Sequence, residues 1–274
     1  MAQIQWGTET KVLDGPAAAF LEVDGEQNIY LVHEDLTSMT KYLAAYQYDS
    51  LLAMGGKSHR EEGFLEIGAI DVSNRQSVFV LDQGRQRITL LHPNLRVIQD
   101  LNLTSLSVSA GTDAPDDLLV RSLASNSAGE LFLLNVLDNR IYVLSASGGW
   151  SLIFGGTDYG EGSLFDPSEV SLSADNFLFV GQPDRNNIQV YDLFGTWRYA
   201  INTPESFSWT SFQLAGEVLI LRGTNEMMIL DPRTDGSFRL PYPLTGVLDF
   251  FWGKDQVYFL TKNQVHLYPL PERD

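Results

Sequence analysis

A short apolar run recurs six times along the chain, and this repetition limits the fold more than any other feature. The segment 155–192 repeats the order of features in 55–92: a Gly-Gly pair, a polar loop that ends at a Phe, and apolar runs separated by turns. The central runs, rich in β-branched, aromatic and leucine residues, lie at 29–32, 78–81, 131–134, 177–180, 218–221 and 257–260. Such runs, bounded by Gly, Asn and Asp, predict buried strands rather than helices.

Each central run has the same neighbours. A polar turn and an earlier strand precede it, as at 69–72, and a second turn leads to a third strand. The third strands lie at 88–91, 141–144, 188–191, 227–230 and 265–268, and a fourth often follows, as at 95–98 and 196–199. Four antiparallel strands in about 45 residues form one blade of a β-propeller. We therefore predict an all-β, six-bladed propeller that spans residues 1–274 as a single domain.

The two ends of the chain predict how the ring closes. The sixth unit stops at its third strand, 265–268, and only residues 269–274 follow it. The segment 4–10 precedes the first unit, so we expect this N-terminal strand to complete the last blade. Closure by both termini leaves no broad sheet edge exposed.

The units between 55 and 192 resemble the NHL repeat of six-bladed propellers, whereas the first, fifth and sixth units lack most of that pattern. The matching residues are Gly55, Gly56, Gly63, Phe64, Asp82, Arg87-Ile88, Asp138 to Ile141, Gly155-Gly156, Phe165 to Pro167 and Asp184 to Ile188. The resemblance implies that Arg87 and Arg140 pair with an Asp of a neighbouring turn. It implies little about function, because this fold includes binding scaffolds, lactonases and lyases.

Charge and composition exclude several functions. The chain has 35 acidic and 18 basic side chains, for a net charge of −17, and it contains no cysteine. The densest basic segment, 85–87, holds two charges, so we predict no binding to nucleic acid. The absence of cysteine excludes disulfides, thiol nucleophiles and thiolate metal sites. A basic protein or a divalent cation fits the acidic surface better.

The sequence also supports an expectation about location. No apolar run approaches the ~18 residues of a membrane helix, and no signal peptide opens the chain. A chain without cysteine suits an exported bacterial protein. We therefore expect a periplasmic or outer-membrane-associated protein whose leader has been removed from a lipid-anchored precursor, as a monomer or a subunit of an assembly. A cytoplasmic location stays open.

In a propeller, the loops from second to third strands and the connections between blades share one face, which we call the top face. Ligands of propellers commonly bind there, so polar residues of these loops are the candidate contacts for a partner. These candidates are His33, His59, Arg60, Asp82, Arg85, Tyr159, Asp184 and Arg185.

Metal-dependent catalysis is the alternative. Resemblance to lactonases of this fold would place calcium on carboxylates of the first strands, and Glu22, Asp71 and Asp249 are the candidates. Hard cations require six or more oxygen ligands. These three residues lie at different positions along their repeat units. A zinc lyase requires converging histidines, and the chain has four in all. No Gly-x-Ser-x-Gly nucleophile motif occurs.

These observations favour a non-catalytic binding or scaffold propeller, with no catalytic residue and no cofactor, in an extracytoplasmic bacterial assembly of proteins. The alternative is a calcium-dependent, lactonase-like hydrolase, or a lyase, with its site at the top of the central channel.

Overall fold

The computed structural model describes residues 4–56, 63–106, 117–158, 160–234 and 236–273. Six four-stranded antiparallel sheets form the six predicted blades. The strands before and within blades 1 to 3 are β1 (Ile4–Gln5), β2 (Lys11–Asp14), β3 (Ala18–Val23), β4 (Ile29–His33), β5 (Ser38–Tyr42), β6 (Leu51–Gly55), β7 (Ile67–Asp71), β8 (Val78–Asp82), β9 (Arg87–Leu91), β10 (Val97–Asn102), β11 (Val120–Ser125), β12 (Leu131–Asn135), β13 (Arg140–Leu144) and β14 (Trp150–Gly155).

Blades 4 to 6 repeat the arrangement. Their strands are β15 (Glu169–Leu172), β16 (Phe177–Gln182), β17 (Asn187–Asp192), β18 (Trp197–Asn202), β19 (Ser211–Ala215), β20 (Val218–Arg222), β21 (Glu226–Asp231), β22 (Gly236–Pro241), β23 (Asp249–Trp252), β24 (Gln256–Leu260) and β25 (Gln264–Pro269), followed by β26 (Glu272–Arg273). Single 3-10 turns lie at Ala44–Tyr46, Gln83–Arg85, Leu103–Ser105 and Pro183–Arg185. No helix in the described ranges is long and apolar enough to cross a membrane.

The N-terminal part of the chain completes the last blade, as predicted, but the closing strand is β2. It pairs antiparallel with β25, in the register Lys11↔Leu267, whereas β1 pairs with β26 in a separate two-stranded ribbon. The prediction that residues 4–10 form the closing strand is therefore wrong, because the next segment, β2, forms it. The reason is packing: Leu13 enters the core between blades 6 and 1, while the Trp6 ring stacks edge-on against Phe259, 5.1 Å away.

Six apolar clusters fill the spaces between adjacent blades. The second strands carry most of this burial, and every residue of β8 and β12 is buried. Each second strand packs against a neighbouring blade on both of its faces, so its residues are apolar without alternation. This double burial explains why the second strands were the clearest repeated signal in the sequence.

The Gly-Gly pairs end the fourth strands of blades 1 and 3. Gly55 has a φ of +95°, and a Cβ there would lie 2.5 Å from the Thr37 carbonyl oxygen. Gly155 has a φ of +82°, and its Cβ would lie 2.8 Å from a methyl group of Leu164. Both the left-handed backbone and the close contact require glycine, so these pairs are turns between blades.

The first strands, β3, β7, β11, β15, β19 and β23, surround a central channel of about 520 Å³. The turns between first and second strands lie at the end of the channel opposite the top face, and we call this the bottom end. Titratable side chains of the first strands line the channel.

Candidate functional site

Buried polar side chains at the ends of second strands hold the loops of the top face. Asp82 is fully buried, and its carboxylate accepts hydrogen bonds from the backbone N–H groups of Leu65 at 3.1 Å and Glu66 at 3.2 Å. Asn135 of blade 3 accepts one from Leu119 N–H at 2.8 Å. Gln182 of blade 4 similarly accepts a hydrogen bond from the Phe165 N–H, in the connection between blades 3 and 4. The same strand position thus anchors a connecting loop in three consecutive blades.

Arginine side chains complete the Asp82 anchor. The Arg85 guanidinium lies 3.0 Å from an Asp82 carboxylate oxygen, and that of Arg87 lies 3.5 Å from the same oxygen. Arg87 also donates to the Gly63 carbonyl at 2.9 Å. Asp82 was predicted to contact a partner, but it is buried among its own loop contacts and is not exposed. The pairing of Arg87 with Asp82 follows the NHL-like pattern, as does that of Arg140 with Asp158 at 3.5 Å.

His33 is engaged within its own blade. Its two ring nitrogens lie 2.8 Å from Ser38 Oγ and 2.8 Å from Thr40 Oγ1. Burial lowers the pKa of the imidazole, while Asp35 acts in the opposite direction. His33 is therefore neutral at pH 7 and stabilises the hairpin of blade 1 rather than presenting a free ring.

Asp184 and Arg185 are exposed on the top face, on the 3-10 turn of blade 4. The Arg185 guanidinium lies 4.5 Å from the centre of the Phe165 ring, which orients it by a cation–π contact. The other candidates, His59, Arg60 and Tyr159, lie outside the described residues.

The channel brings together the three predicted carboxylates, Glu22, Asp71 and Asp249, and adds Glu169 and Arg222. The Arg222 guanidinium donates to an Asp249 carboxylate oxygen at 2.7 Å. Sequence reasoning missed Glu169 and Arg222. Arg222 could have been found, because it occupies the same second-strand end as Asp82 in blade 2. Glu169 had no comparable signal, since a lone Glu before an apolar run also fits an exposed loop.

Side chains of the first strands join neighbouring blades across the channel wall. Each accepts a hydrogen bond from a backbone N–H of the next blade's first strand. These pairs are Asp71 with Ser125, Ser122 with Val170, Glu169 with Phe212, Gln213 with Trp252 and Asp249 with Leu21. In the described part of the chain, such bonds cross five of the six blade junctions. At the sixth junction, between blades 1 and 2, the described residues show no such bond, and no described residue donates a hydrogen bond to the Glu22 carboxylate.

The channel raises the pKa values of its carboxyl groups. Burial raises the pKa of Glu22 well above its usual range, and the nearby charges of Asp249, Asp71 and Glu169 add to this. Burial raises the pKa of Glu169 to about 8, although the Phe212 N–H and Arg222 act to lower it. Burial also raises the pKa of Asp249, against the effect of Arg222. The channel is therefore a poorly solvated acidic environment, which favours the protonated, uncharged form of these carboxyl groups.

Protein donors already engage two of the three carboxylates proposed as calcium ligands. The Asp71 oxygens accept N–H groups of Ser73 and Ser125, and those of Asp249 accept Leu21 N–H and the Arg222 guanidinium. Among the residues described, no three or more His, Asp or Glu side chains are grouped so that they could hold a metal ion. Glu22, Asp71 and Asp249 all line the channel, but the carboxylates of Asp71 and Asp249 already accept hydrogen bonds from protein donors.

No protein-family model matches the chain, and no curated protein matches it in sequence. Solved structures do match it. Virginiamycin B lyase from Staphylococcus aureus has a TM-score of 0.63 at 11% identity, over 95% of this chain and 98% of that one. The Neurospora crassa Pan2 WD40 domain has 0.61 at 10% identity, over 97% and 96%.

The β-propeller domain of Myceliophteria thermophila Cps50 (Swd1) has a TM-score of 0.65 at 10% identity, over 96% of this chain and 99% of that one. At such low identity these likenesses show the fold alone, and membership of the NHL-repeat family stays a prediction from its motifs. The chain is thus a six-bladed β-propeller with anchored top loops and an acidic central channel.

Proposed function

We propose that the protein is a non-catalytic binding propeller that engages a protein partner through its top face. The observation that carries this proposal is the set of buried anchors, Asp82, Asn135 and Gln182, beneath the top loops. Loops held in this way lose little conformational freedom when a partner binds, so more of the contact energy is available for affinity.

The exposed chemistry of the top face indicates the kind of partner. Asp117, Asp184 and Glu205 are exposed acidic residues of its loops. Leu65 and Leu137 are 57% and 56% exposed on the same face. Acidic groups around exposed apolar side chains suit a basic protein surface, because opposite charge speeds association and apolar contacts supply the interface core.

Two further observations support a binding role. A chain of similar fold occurs in the structure of a mitotic checkpoint complex, with a TM-score of 0.63 at 11% identity. The channel carboxylates Asp71 and Asp249 are occupied by backbone and arginine donors, which gives the alternative of a metal-dependent hydrolase or lyase less support. We place the binding role in an extracytoplasmic assembly, as a chain without cysteine suggests.

Charge reversal on matched faces tests the proposal. One variant carries Asp117→Lys, Asp184→Lys and Glu205→Lys on the top face. The control carries Glu26→Lys, Asp175→Lys and Asp255→Lys in exposed turns at the bottom end, so the net charge of the two proteins is equal. Affinity capture from the source cells, followed by binding measurements with the purified partner, compares both with the wild type.

We expect the top-face variant to lose the partner and the bottom-end variant to keep it. Equal loss in both variants would indicate binding by net charge alone. Loss only in the bottom-end variant would place the interface on the other face. Either result would overturn the proposal.

A further inference from the structure

An asparagine at the outer rim of blade 2 lies in a sequence that accepts N-linked glycans. Asn102 is the only asparagine of the chain that is followed two residues later by Ser or Thr, with a residue other than Pro between them. The sequence Asn-x-Ser/Thr is the acceptor for such glycans and requires a surface position. Asn102 ends β10, the outermost strand of blade 2, and both Asn102 and Thr104 are exposed. The sequence requirement and the exposure therefore coincide at this asparagine.

The side chain of Asn102 leaves free the atom that a glycan would join. Its Oδ1 accepts hydrogen bonds from the Thr104 N–H at 3.1 Å and from the Thr104 hydroxyl at 2.8 Å. The other side of the amide carries Nδ2, and no described residue accepts a hydrogen bond from it. A sugar on Nδ2 therefore displaces no hydrogen bond to a described residue, and the Thr104 hydroxyl already contacts the acceptor amide.

Blade 4 has the matching position without the acceptor sequence. Asn202 ends β18 as Asn102 ends β10, and it is exposed too. In each blade the next residue is buried, and its N–H donates to a backbone carbonyl at the end of the 3-10 turn, at 2.8 Å in blade 4 and 3.0 Å in blade 2. Two residues after Asn202 stands Pro204. A hydroxyl at the place of Thr104 is therefore not needed to end a fourth strand in this way.

We propose that Asn102 carries an N-linked glycan. The donor is an oligosaccharide linked to a polyprenyl diphosphate, and an oligosaccharyltransferase catalyses the transfer. A bond forms between Asn102 Nδ2 and the anomeric carbon of the first sugar. The bond between that carbon and the diphosphate oxygen breaks, so the lipid diphosphate leaves with the electron pair and Nδ2 loses one proton.

The buried residue between Asn102 and Thr104 determines when the transfer occurs. Leu103 is 1% exposed and packs in the apolar cluster between blades 2 and 3. An enzyme that encloses the acceptor segment needs this leucine withdrawn from the core, so the glycan is added before blade 2 packs against blade 3. In the folded protein the glycan then extends from the periphery of the ring, where a bulky polar group is solvated.

Mass spectrometry of the trypsin-digested protein from the source cells tests the site. Trypsin releases residues 97–121, which contain Asn102, and residues 199–222, which contain Asn202. We expect the first peptide to be heavier by the mass of a glycan, with the attachment located at Asn102 by electron-transfer fragmentation. The second peptide is the internal control and should be unmodified. Thr104→Ser keeps the hydroxyl and should keep the glycan, whereas Thr104→Ala and Asn102→Gln should lose it.

The glycan rests on the extracytoplasmic location proposed above and is independent of the protein partner. Cell fractionation therefore accompanies the mass measurement. An unmodified first peptide in protein recovered outside the cytoplasm would overturn the glycan and leave the binding role intact. Protein found unmodified and only in the cytoplasm would overturn both the glycan and the location. A glycan retained in Thr104→Ala, or equal modification of Asn202, would overturn the assignment to this acceptor sequence.

Discussion

Replacement of Lys41 by methionine should destabilise the protein strongly. Its side chain is 4% exposed and lies 3.3 Å from an Asp24 carboxylate oxygen. The ammonium donates to the Pro93 carbonyl of blade 2 at 3.0 Å and lies 4.7 Å from the centre of the Tyr30 ring. Lys41 therefore joins blade 1 to blade 2 through a buried charge.

The contacts that remain set the expected magnitude. Removal of one partner from a buried ion pair costs about 3–5 kcal/mol. Asp24 keeps hydrogen bonds from the backbone of Glu26 and Asn28, and from the Tyr30 hydroxyl. Because the remaining carboxylate keeps these donors, we expect a loss of about 2–3 kcal/mol, below the range for a pair left without other partners. For a chain of this size, this corresponds to a fall in Tm of about 5–10 °C.

Thermal unfolding followed by circular dichroism measures the effect. Lys254→Met is the matched control, because it is the same substitution at an exposed position, and its Tm should stay within about 1 °C of the wild type. Asp24→Asn, alone and combined with Lys41→Met, completes a double-mutant cycle with an expected coupling of at least about 1 kcal/mol. A Tm of Lys41→Met equal to that of Lys254→Met would refute the reasoning.

Three further predictions concern the channel, the closure and the surface charge. The raised pKa of Glu169, about 8 in the folded protein, means that its protonation stabilises the fold below its unfolded pKa and that this stability is lost as the pH rises toward 8. Glu169→Gln should therefore reduce the fall in Tm between pH 5 and pH 8, and an unchanged pH dependence would contradict this. Deletion of residues 1–14 removes β2 and exposes the edge of β25, so it should lower the Tm by many degrees and cause aggregation. Deletion of residues 1–5, which removes only β1, should cost much less, and equal melting of the two truncated proteins would show that β2 does not close the ring. The net charge of −17 predicts no retention of single-stranded RNA in a filter-binding assay at about 50 mM salt, and micromolar retention that fades as salt rises would contradict it.

The candidate site could be predicted only in part. The first-strand carboxylates Glu22, Asp71 and Asp249 do share the channel, because strand order alone places first strands at the centre of a propeller. The partners of Asp71 and Asp249 could not be predicted, since each accepts a hydrogen bond from a backbone N–H of the next blade, 54 and 228 residues away in sequence. Asp82 was placed on the partner-binding face because it follows an apolar strand, but its neighbours in space enclose it.

The sequence by itself determined the strands, their grouping into six blades and the closure of the ring by the N-terminal part of the chain. These properties follow from local patterns, because a strand buried on both faces is apolar along its length and the turns require particular residues. Only the tertiary structure decided that β2 rather than the segment 4–10 closes the ring, and that no described residue donates a hydrogen bond to Glu22 in the channel. Both outcomes depend on packing between blades, where Leu13 and Trp6 each fit a different space, and no local pattern specifies which distant surfaces will meet.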